Sequence, residues 1–248
     1  MDLCKLLDDF SSSLFSRSGI LTEDSVRYCL YHHMLLQDSD LNHYILELPY
    51  VSIRKGLCPN VRLVDNHGLK TTTASNADQE SKGKLNQELD MYYDNGLEQI
   101  CVEVKFHRHA RNGVDFPHTM AAGQLVNDLR RLQVLRPTEE GQNFKRVMLY
   151  VTDNEMHNYL MNTGSASSKY RGALTKFYKD GIFSCQIDEP ETFLIYASNS
   201  FSQRSHSFKI VSGKTVMRKV ACPGCSSICP DIPAEKRLHI RLYEISAV

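Results

Sequence analysis

Residues 88–105 decide the fold and read Glu-Leu-Asp-Met-Tyr-Tyr-Asp-Asn-Gly-Leu-Glu-Gln-Ile-Cys-Val-Glu-Val-Lys. Two runs of strand-forming residues flank Asn95-Gly96, a dipeptide that strongly favours a two-residue hairpin loop. The sequence therefore predicts an antiparallel hairpin in which Asp94 pairs with Leu97.

The predicted hairpin is amphipathic. Because side chains alternate along a strand, one face collects five apolar residues: Leu89, Met91, Ile100, Val102 and Val104. The opposite face collects four charged residues: Glu88, Asp90, Glu103 and Lys105. Asp90 and Glu103 become diagonal cross-strand neighbours, about 7–8 Å apart at the backbone. Two carboxylates this close repel unless a cation or a proton lies between them. The charged face is thus either a metal site or the solvated face of an ordinary hairpin.

The spacing of these charges resembles the signature of the PD-(D/E)xK nuclease superfamily, which has the restriction-endonuclease-like fold. Asp90 is followed thirteen positions later by Glu103-Val104-Lys105, and Leu89 stands in place of the signature's proline. The order of elements over about residues 20–160 is also similar. The resemblance implies an α/β fold with a mixed central β-sheet flanked by helices, an αβββαβ core and a C-terminal β-rich elaboration.

The resemblance also implies a metal-assisted mechanism. Asp90, Glu103 and the backbone carbonyl of Val104 would bind Mg²⁺, with Mn²⁺ as a substitute, since hard oxygen ligands suit this cation. Lys105 would stand beside the attacking water, where it would ease deprotonation of that water or stabilise negative charge on the phosphate.

Two predicted helices would add residues to the site. The first begins after Thr22, a good N-cap, and its apolar stripe comprises Val26, Cys29, Leu30 and Met34. Glu23, in the first turn, is either an acid favoured by the helix dipole or an extra active-site acid that would bind a second metal or a water. The second helix covers about residues 117–135, with a polar stripe of Gln124, Asp128 and Arg131. By resemblance Gln124 would orient water or phosphate, whereas such a stripe is ordinarily a solvated face.

Five basic residues are candidates for contacts with a phosphate backbone: His107, Arg108, Arg111, Arg130 and Arg131. The alternative is that they are ordinary surface residues. The chain has 29 basic and 29 acidic residues, so no overall field attracts nucleic acid and binding would need a local patch. DNA is the expected partner, and a homodimer would suit cutting of both strands.

The length and composition of the chain predict its domain organisation. Its 248 residues are predicted to form one domain, with a core at about 20–160 and an elaboration at about 165–248 that includes strands at 192–197, 208–211 and Leu238–Ile245. The polar stretch 65–87 is predicted as a loop. Cys222, Cys225 and Cys229 form either a partial site for structural Zn²⁺ or a proline- and glycine-rich loop that contains thiols.

No signal-peptide pattern and no run of about 20 apolar residues occurs in the chain, which predicts no membrane partner and a cytoplasmic location, or a nuclear one in a eukaryote. We expect a metal-dependent endonuclease or exonuclease, acting on DNA by preference. The alternative is a catalytically inactive nucleic-acid-binding or interaction protein on the same fold. A glycosidase would leave Lys105 without a role, and the chain has no Trp to stack on a sugar.

Overall fold

A seven-stranded β-sheet carries the hairpin at its centre. The structure is a computed structural model that describes residues 1–15, 22–64, 70–71, 88–107, 131–153, 181–186, 207–208, 214–219 and 238–245, and positions 121, 125, 128, 129, 156 and 158. Three helices are α1 (Leu3–Phe15), α2 (Glu23–Gln37) and α3 (Tyr50–Arg54). The described helical positions 121, 125, 128, 129 and 131–133 define α4.

Eleven strands are present in the described part of the chain: β1 (Tyr44–Pro49), β2 (Val61–Leu63), β3 (Lys70–Thr71), β4 (Glu88–Asp94), β5 (Glu98–His107), β6 (Leu135–Pro137), β7 (Asn143–Asp153), β8 (Gly181–Gln186), β9 (Ser207–Phe208), β10 (Lys214–Lys219) and β11 (Leu238–Ile245). The central sheet has the order β1-β4-β5-β7-β11-β10-β8. Only its β5–β7 pair is parallel. The chain is therefore a mixed α/β protein with a mostly antiparallel sheet, as predicted at that level.

Two apolar cores cover the two faces of the sheet. The first core packs α1 and α2 against one face, and the second packs α3, α4, β2 and β6 against the other. The predicted start of α2 is confirmed, because Thr22 Oγ1 accepts a hydrogen bond from the Ser25 amide at 3.1 Å. The predicted stripe of α2 is buried in the first core: Val26, Cys29, Leu30 and Met34.

The predicted hairpin register is wrong by two residues. Asp94 pairs with Gln99 and not with Leu97. The cause is the side chain of Asn95, whose Oδ1 accepts hydrogen bonds from the amides of Leu97 at 3.0 Å and Glu98 at 2.9 Å and thereby widens the loop. A shift of two positions leaves side chains on the faces that alternation assigned to them.

Alternation itself fails near one end of the hairpin. Glu47 in β1 has a φ of 54°, the left-handed conformation, which is uncommon for a non-glycine residue. Leu46 packs in the first core and Leu48 in the second, although residues two apart on a regular strand share a face. Met91 and Leu89, which pair with them, divide in the same way. The prediction that Leu89 shares a face with Met91 is therefore wrong.

Strand predictions in the last third of the chain met different outcomes. β11 has the predicted bounds, Leu238–Ile245, whereas β8 and β10 were not predicted. The predicted strand 192–197 lies outside the described residues, and 208–211 overlaps β9 at one position. Most of the predicted loop 65–87 also lies outside them, but Lys70–Thr71 forms β3 and pairs with β9. Among the described helices, none has the length and apolar character needed to cross a bilayer.

The backbone of Glu47 gives a stability test. We expect Glu47→Gly to be more stable than Glu47→Ala by about 1 kcal/mol, because a left-handed residue with a Cβ costs about 1–2 kcal/mol and glycine avoids this cost. Both variants lose the carboxylate, so their difference reports the backbone alone. Urea unfolding midpoints give the measurement.

At Ile45, a neighbouring position of β1 that is 43% exposed, the order is expected to reverse, with the alanine variant more stable than the glycine variant. Equal stability of the two Glu47 variants would show that the left-handed backbone stores no strain.

Candidate active site

Asp90 lies where the β4–β5 ladder ends. The regular ladder ends at the pair of Met91 with Val102, one position before Asp90 and Glu103. Asp90 Oδ2 accepts a hydrogen bond from the Val104 amide at 2.6 Å, and Asp90 Oδ1 accepts one from Arg27 Nη1 at 3.1 Å. The Val104 amide thus holds the Asp90 carboxylate beside β5, next to the residue that follows Glu103.

Glu103 is a buried carboxylate with a side chain that is 3% exposed. Its Oε1 accepts a hydrogen bond from the Tyr50 hydroxyl at 2.8 Å and lies 3.5 Å from Arg131 Nε. Burial raises the pKa of Glu103 well above its ordinary value, and the negative charges of Asp90 and Asp128 add to this, against the opposing charge of Arg131. The surroundings of Glu103 therefore compensate only part of the cost of burying its ionised carboxylate.

Asp90 is in a similar position. Burial raises its pKa, although the Val104 amide and the charges of Arg27 and Lys105 act in the opposite direction. A raised pKa on both carboxylates means that the nearby donors and cations do not fully offset the cost of burying them.

Lys105 lies between two carboxylates. Its Nζ is 3.1 Å from Glu23 Oε1 and 3.3 Å from Asp128 Oδ2. Burial alone would lower the pKa of Lys105, but the charges of Asp128, Glu23 and Glu103 outweigh it and raise the pKa above its ordinary value. Lys105 is consequently a cation at neutral pH. Glu23 is fixed further by the Phe106 amide, which donates to its Oε2 at 3.3 Å.

Two members of the predicted polar stripe, Asp128 and Arg131, face the sheet and not the solvent. Asp128 and Arg131 are 4% and 9% exposed and form an ion pair with each other. Arg131 also contacts Glu103 and lies with its guanidinium carbon 5.7 Å from the centre of the Tyr50 ring. The expectation that Arg131 contacts a phosphate backbone at the surface is corrected, since its charge is directed to two internal carboxylates.

His107 needs the same correction. It is 4% exposed, and its Nδ1 lies 3.1 Å from the Tyr150 hydroxyl inside the fold. Four other predicted site residues lie outside the described residues: Arg108, Arg111, Gln124 and Arg130. The same holds for the predicted zinc ligands Cys222, Cys225 and Cys229. For these residues the predictions stand as they were.

Arg27, Tyr50 and Asp128 belong to the site but were not predicted as site residues. Arg27 follows Glu23 by one helical turn, so the sequence places both on one face of α2. Asp128 was visible only as part of the polar stripe. Tyr50 carries no local signal, because its contact with Glu103 joins residues 53 positions apart.

Together these residues form a network of ion pairs. Six carboxylates contact three cations, and the full set is Glu23, Asp24, Glu47, Asp90, Glu103 and Asp128 with Arg27, Lys105 and Arg131. The side chains of Glu23, Asp24 and Glu47 are exposed, so water solvates their charges. The buried part of the network therefore has three carboxylates against three cations.

The donor atoms suit a hard divalent cation, but they are not arranged around one. Asp90, Glu103 and the Val104 carbonyl supply oxygens, which are the ligands that Mg²⁺ prefers. Within the described residues, no group of three or more His, Cys, Asp or Glu side chains is positioned to bind a metal ion. Arg27 forms an ion pair with Asp90, and Arg131 forms one with Glu103. A metal cation would have to compete with both ion pairs.

Comparison with known proteins adds no assignment: no family model, no curated protein and no solved structure matches this chain.

The raised pKa of Glu103 predicts how the unfolding free energy changes with pH. A raised pKa in the folded state means that ionisation of Glu103 opposes folding, so its stabilising contribution is complete below its ordinary pKa of about 4.5 and is lost as the pH rises towards the folded-state pKa. Glu103→Gln retains an acceptor for Tyr50 and Arg131 without the charge. We expect this variant to exceed the wild type in unfolding free energy by about 1 kcal/mol or more at pH 8.

The measurement is urea unfolding at pH 4.5, 6 and 8, in the absence of divalent cations. The advantage of Glu103→Gln should grow with pH, while Glu140→Gln, which changes an exposed carboxylate, should have little effect on stability. A Glu103→Gln variant that loses stability relative to the wild type as the pH rises would show that Glu103 is fully compensated by Arg131.

Proposed function

We propose that this chain is a metal-dependent nuclease of the PD-(D/E)xK type that hydrolyses phosphodiester bonds, by preference in DNA. The observation that carries the proposal is the hydrogen bond from the Val104 amide to Asp90 Oδ2, which holds the Asp90 carboxylate beside β5 between Glu103 and Lys105. The three residue types and their order are those of the superfamily signature.

The order of elements supports the same proposal. Helix α2 is followed along the chain by β1, β4, β5, α4 and β7, which is an αβββαβ order if the short helix α3 and the short strands β2, β3 and β6 are regarded as insertions. The four strands of this series are neighbours in the sheet, and β5 and β7 are parallel. This is the core arrangement expected of the restriction-endonuclease-like fold.

In the proposed reaction, Asp90, Glu103 and the Val104 carbonyl would bind Mg²⁺ or Mn²⁺, and the bound metal would supply Lewis-acid activation of the phosphate and of water. Tyr50 and Arg131 orient Glu103, because both contact its Oε1. Glu23 and Asp128 position Lys105 between them. Since these carboxylates keep Lys105 protonated, its role is to stabilise the negative charge that develops on the phosphate, and not to accept a proton from water.

Cleavage assays test the proposal directly. With Mg²⁺ or Mn²⁺, the wild type should cut supercoiled plasmid, linear duplex or single-stranded DNA, and EDTA should abolish the activity. Asp90→Asn and Lys105→Met should each reduce the rate by about 100-fold or more, since one removes a metal ligand and the other a charge that stabilises the transition state.

Matched controls are Asp9→Asn and Lys5→Met, which change the same residue types at exposed positions of α1. Both should retain wild-type rates. Equal rates in all five proteins would identify a contaminating nuclease. No cleavage of any substrate would favour the inactive nucleic-acid-binding or interaction protein.

Arg27 provides a separate test of the metal. Its Nη1 lies 3.1 Å from Asp90 Oδ1, so its charge opposes a cation at Asp90. Arg27→Met is therefore expected to bind Mn²⁺ about tenfold more tightly than the wild type, as measured by titration calorimetry or by the electron paramagnetic resonance of free Mn²⁺. Unchanged affinity would mean that Arg27 does not compete with the metal, and no Mn²⁺ binding by either protein would contradict the metal site.

A further inference from the structure

A second concentration of charge lies on the same face of the sheet, and it is positive. Arg62 of β2 pairs directly across the ladder with Arg136 of β6. Arg136 Nη1 and Arg146 Nε donate to the same acceptor, the Leu135 carbonyl oxygen, each at 2.8 Å. Their guanidinium groups are therefore neighbours. The three side chains form a continuous row that runs from the exposed Arg62 to the buried Arg146.

Like charges in this row oppose one another. Burial and the charge of Arg62 lower the pKa of Arg136. Burial, together with the charge of Arg136, lowers the pKa of Arg146 to about 10. Like-charged residues directly opposite on two strands are destabilising. Among the described residues, neither Arg62 nor Arg146 makes an ion pair with a carboxylate.

Part of this arrangement has a structural explanation. Arg136 donates to the carbonyls of Gln133 and Leu135 at the end of α4, where basic residues commonly satisfy carbonyls that the helix leaves without partners. Arg146 donates to Leu135 and lies with its guanidinium carbon 4.7 Å from the centre of the Phe144 ring. This explanation does not extend to Arg62, which is exposed and donates only its Nε, to the Pro137 carbonyl at 3.2 Å.

An open cleft of about 390 Å³ adjoins Arg62. Its lining includes the polar side chains of Arg54, Arg62 and Thr138 over an apolar floor of Ile53, Cys58 and Val61. Arg54 and Thr138 are exposed, as Arg62 is, and Arg54 makes no ion pair with a described carboxylate. The acidic residues after β6, Glu139 and Glu140, are exposed and form no ion pair with these arginines in the described part of the chain.

Helix α3 links the cleft to the proposed catalytic residues. It begins at Tyr50, which contacts Glu103, and Arg54 follows one helical turn later. Arg146 lies beside Cys101 in the β5–β7 register, two positions before Glu103, which is about 7 Å along the strand. Glu103 and the buried end of the arginine row therefore lie on the same face of the sheet.

We propose that Arg54 and Arg62 form a phosphate-binding site that takes the backbone of a nucleic acid strand, with Arg136 and Arg146 adding positive charge from behind. Guanidinium groups match the oxygens of a phosphate in pairs. The placement of this strand beside Asp90 and Glu103 rests on the proposed function, whereas the phosphate site itself does not.

The test measures binding without cleavage. Fluorescence anisotropy of labelled single-stranded and duplex oligonucleotides, in EDTA, compares the wild type with Arg54→Ala and Arg62→Ala, which change exposed side chains. Each variant should lose about five- to tenfold in affinity near 0.1 M salt, irrespective of base sequence. Each should also reduce the slope of log K against log salt by about 1. Lys5→Ala, on the opposite face of the sheet, is the matched control and should bind as the wild type does.

Competition with inorganic phosphate separates two sources of the same ligand chemistry. Displacement of the oligonucleotide only by other nucleic acid supports a backbone site, and wild-type binding of free phosphate with no oligonucleotide binding would overturn it. Unchanged oligonucleotide affinity and salt slope in both arginine variants would also overturn the inference, whatever the cleavage assay shows. Conversely, loss of affinity in these variants from a wild type that never cleaves would support the phosphate site and contradict the nuclease.

Discussion

The packing of two helices on one face of the sheet depends on a single buried acceptor, Oε1 of Glu103. Glu103 lies in a central strand of the sheet, where an isolated charge is costly. It therefore requires donors from elements that are distant in sequence. Tyr50 supplies a hydroxyl from the start of α3 and Arg131 supplies a guanidinium from the end of α4, so both helices on this face are fixed by their contacts with the same oxygen. Asp128 then pairs with Arg131 and Lys105 with Asp128, which extends the network to the edge of α2.

A local distortion of the sheet accompanies this network. Glu47 adopts its left-handed backbone in β1 at the position opposite Asp90, and its carboxylate lies 3.2 Å from Arg27. On the other side of Asp90, the Val104 amide donates to a carboxylate and the regular ladder ends. Strained backbone that persists in a folded protein is characteristic of functional sites. The distortion interrupts the regular alternation of side chains in β4 at Asp90, the residue that the proposed mechanism uses as a metal ligand.

Local patterns in the sequence determine part of this site, and long-range burial determines the rest. The Thr22 cap and the apolar stripe of α2 were predictable because both depend on residues within a few turns of one another. The hairpin was predictable but its register was not, since the Asn95 side chain, and not the Asn95-Gly96 dipeptide, sets the loop. The burial of Asp128 and Arg131 could not be predicted from neighbouring residues. A charged stripe on a helix has the same sequence pattern whether its charges are solvated by water or paired with charges on another strand.

The raised pKa of two buried carboxylates argues that the network has a purpose beyond stability. Buried ion pairs are poor sources of stability, because desolvation offsets much of the attraction between the partners. The buried part of this network has three carboxylates against three cations, yet burial still raises the pKa of both Asp90 and Glu103. Ionisation of either carboxylate therefore opposes folding, and a bound cation would offset this cost. On the same face of the sheet, Arg62 and Arg146 make no ion pair with a described carboxylate, and Arg62 is exposed. Carboxylates that a cation would stabilise, together with these arginines, fit the proposed binding of a divalent cation and a polyanion.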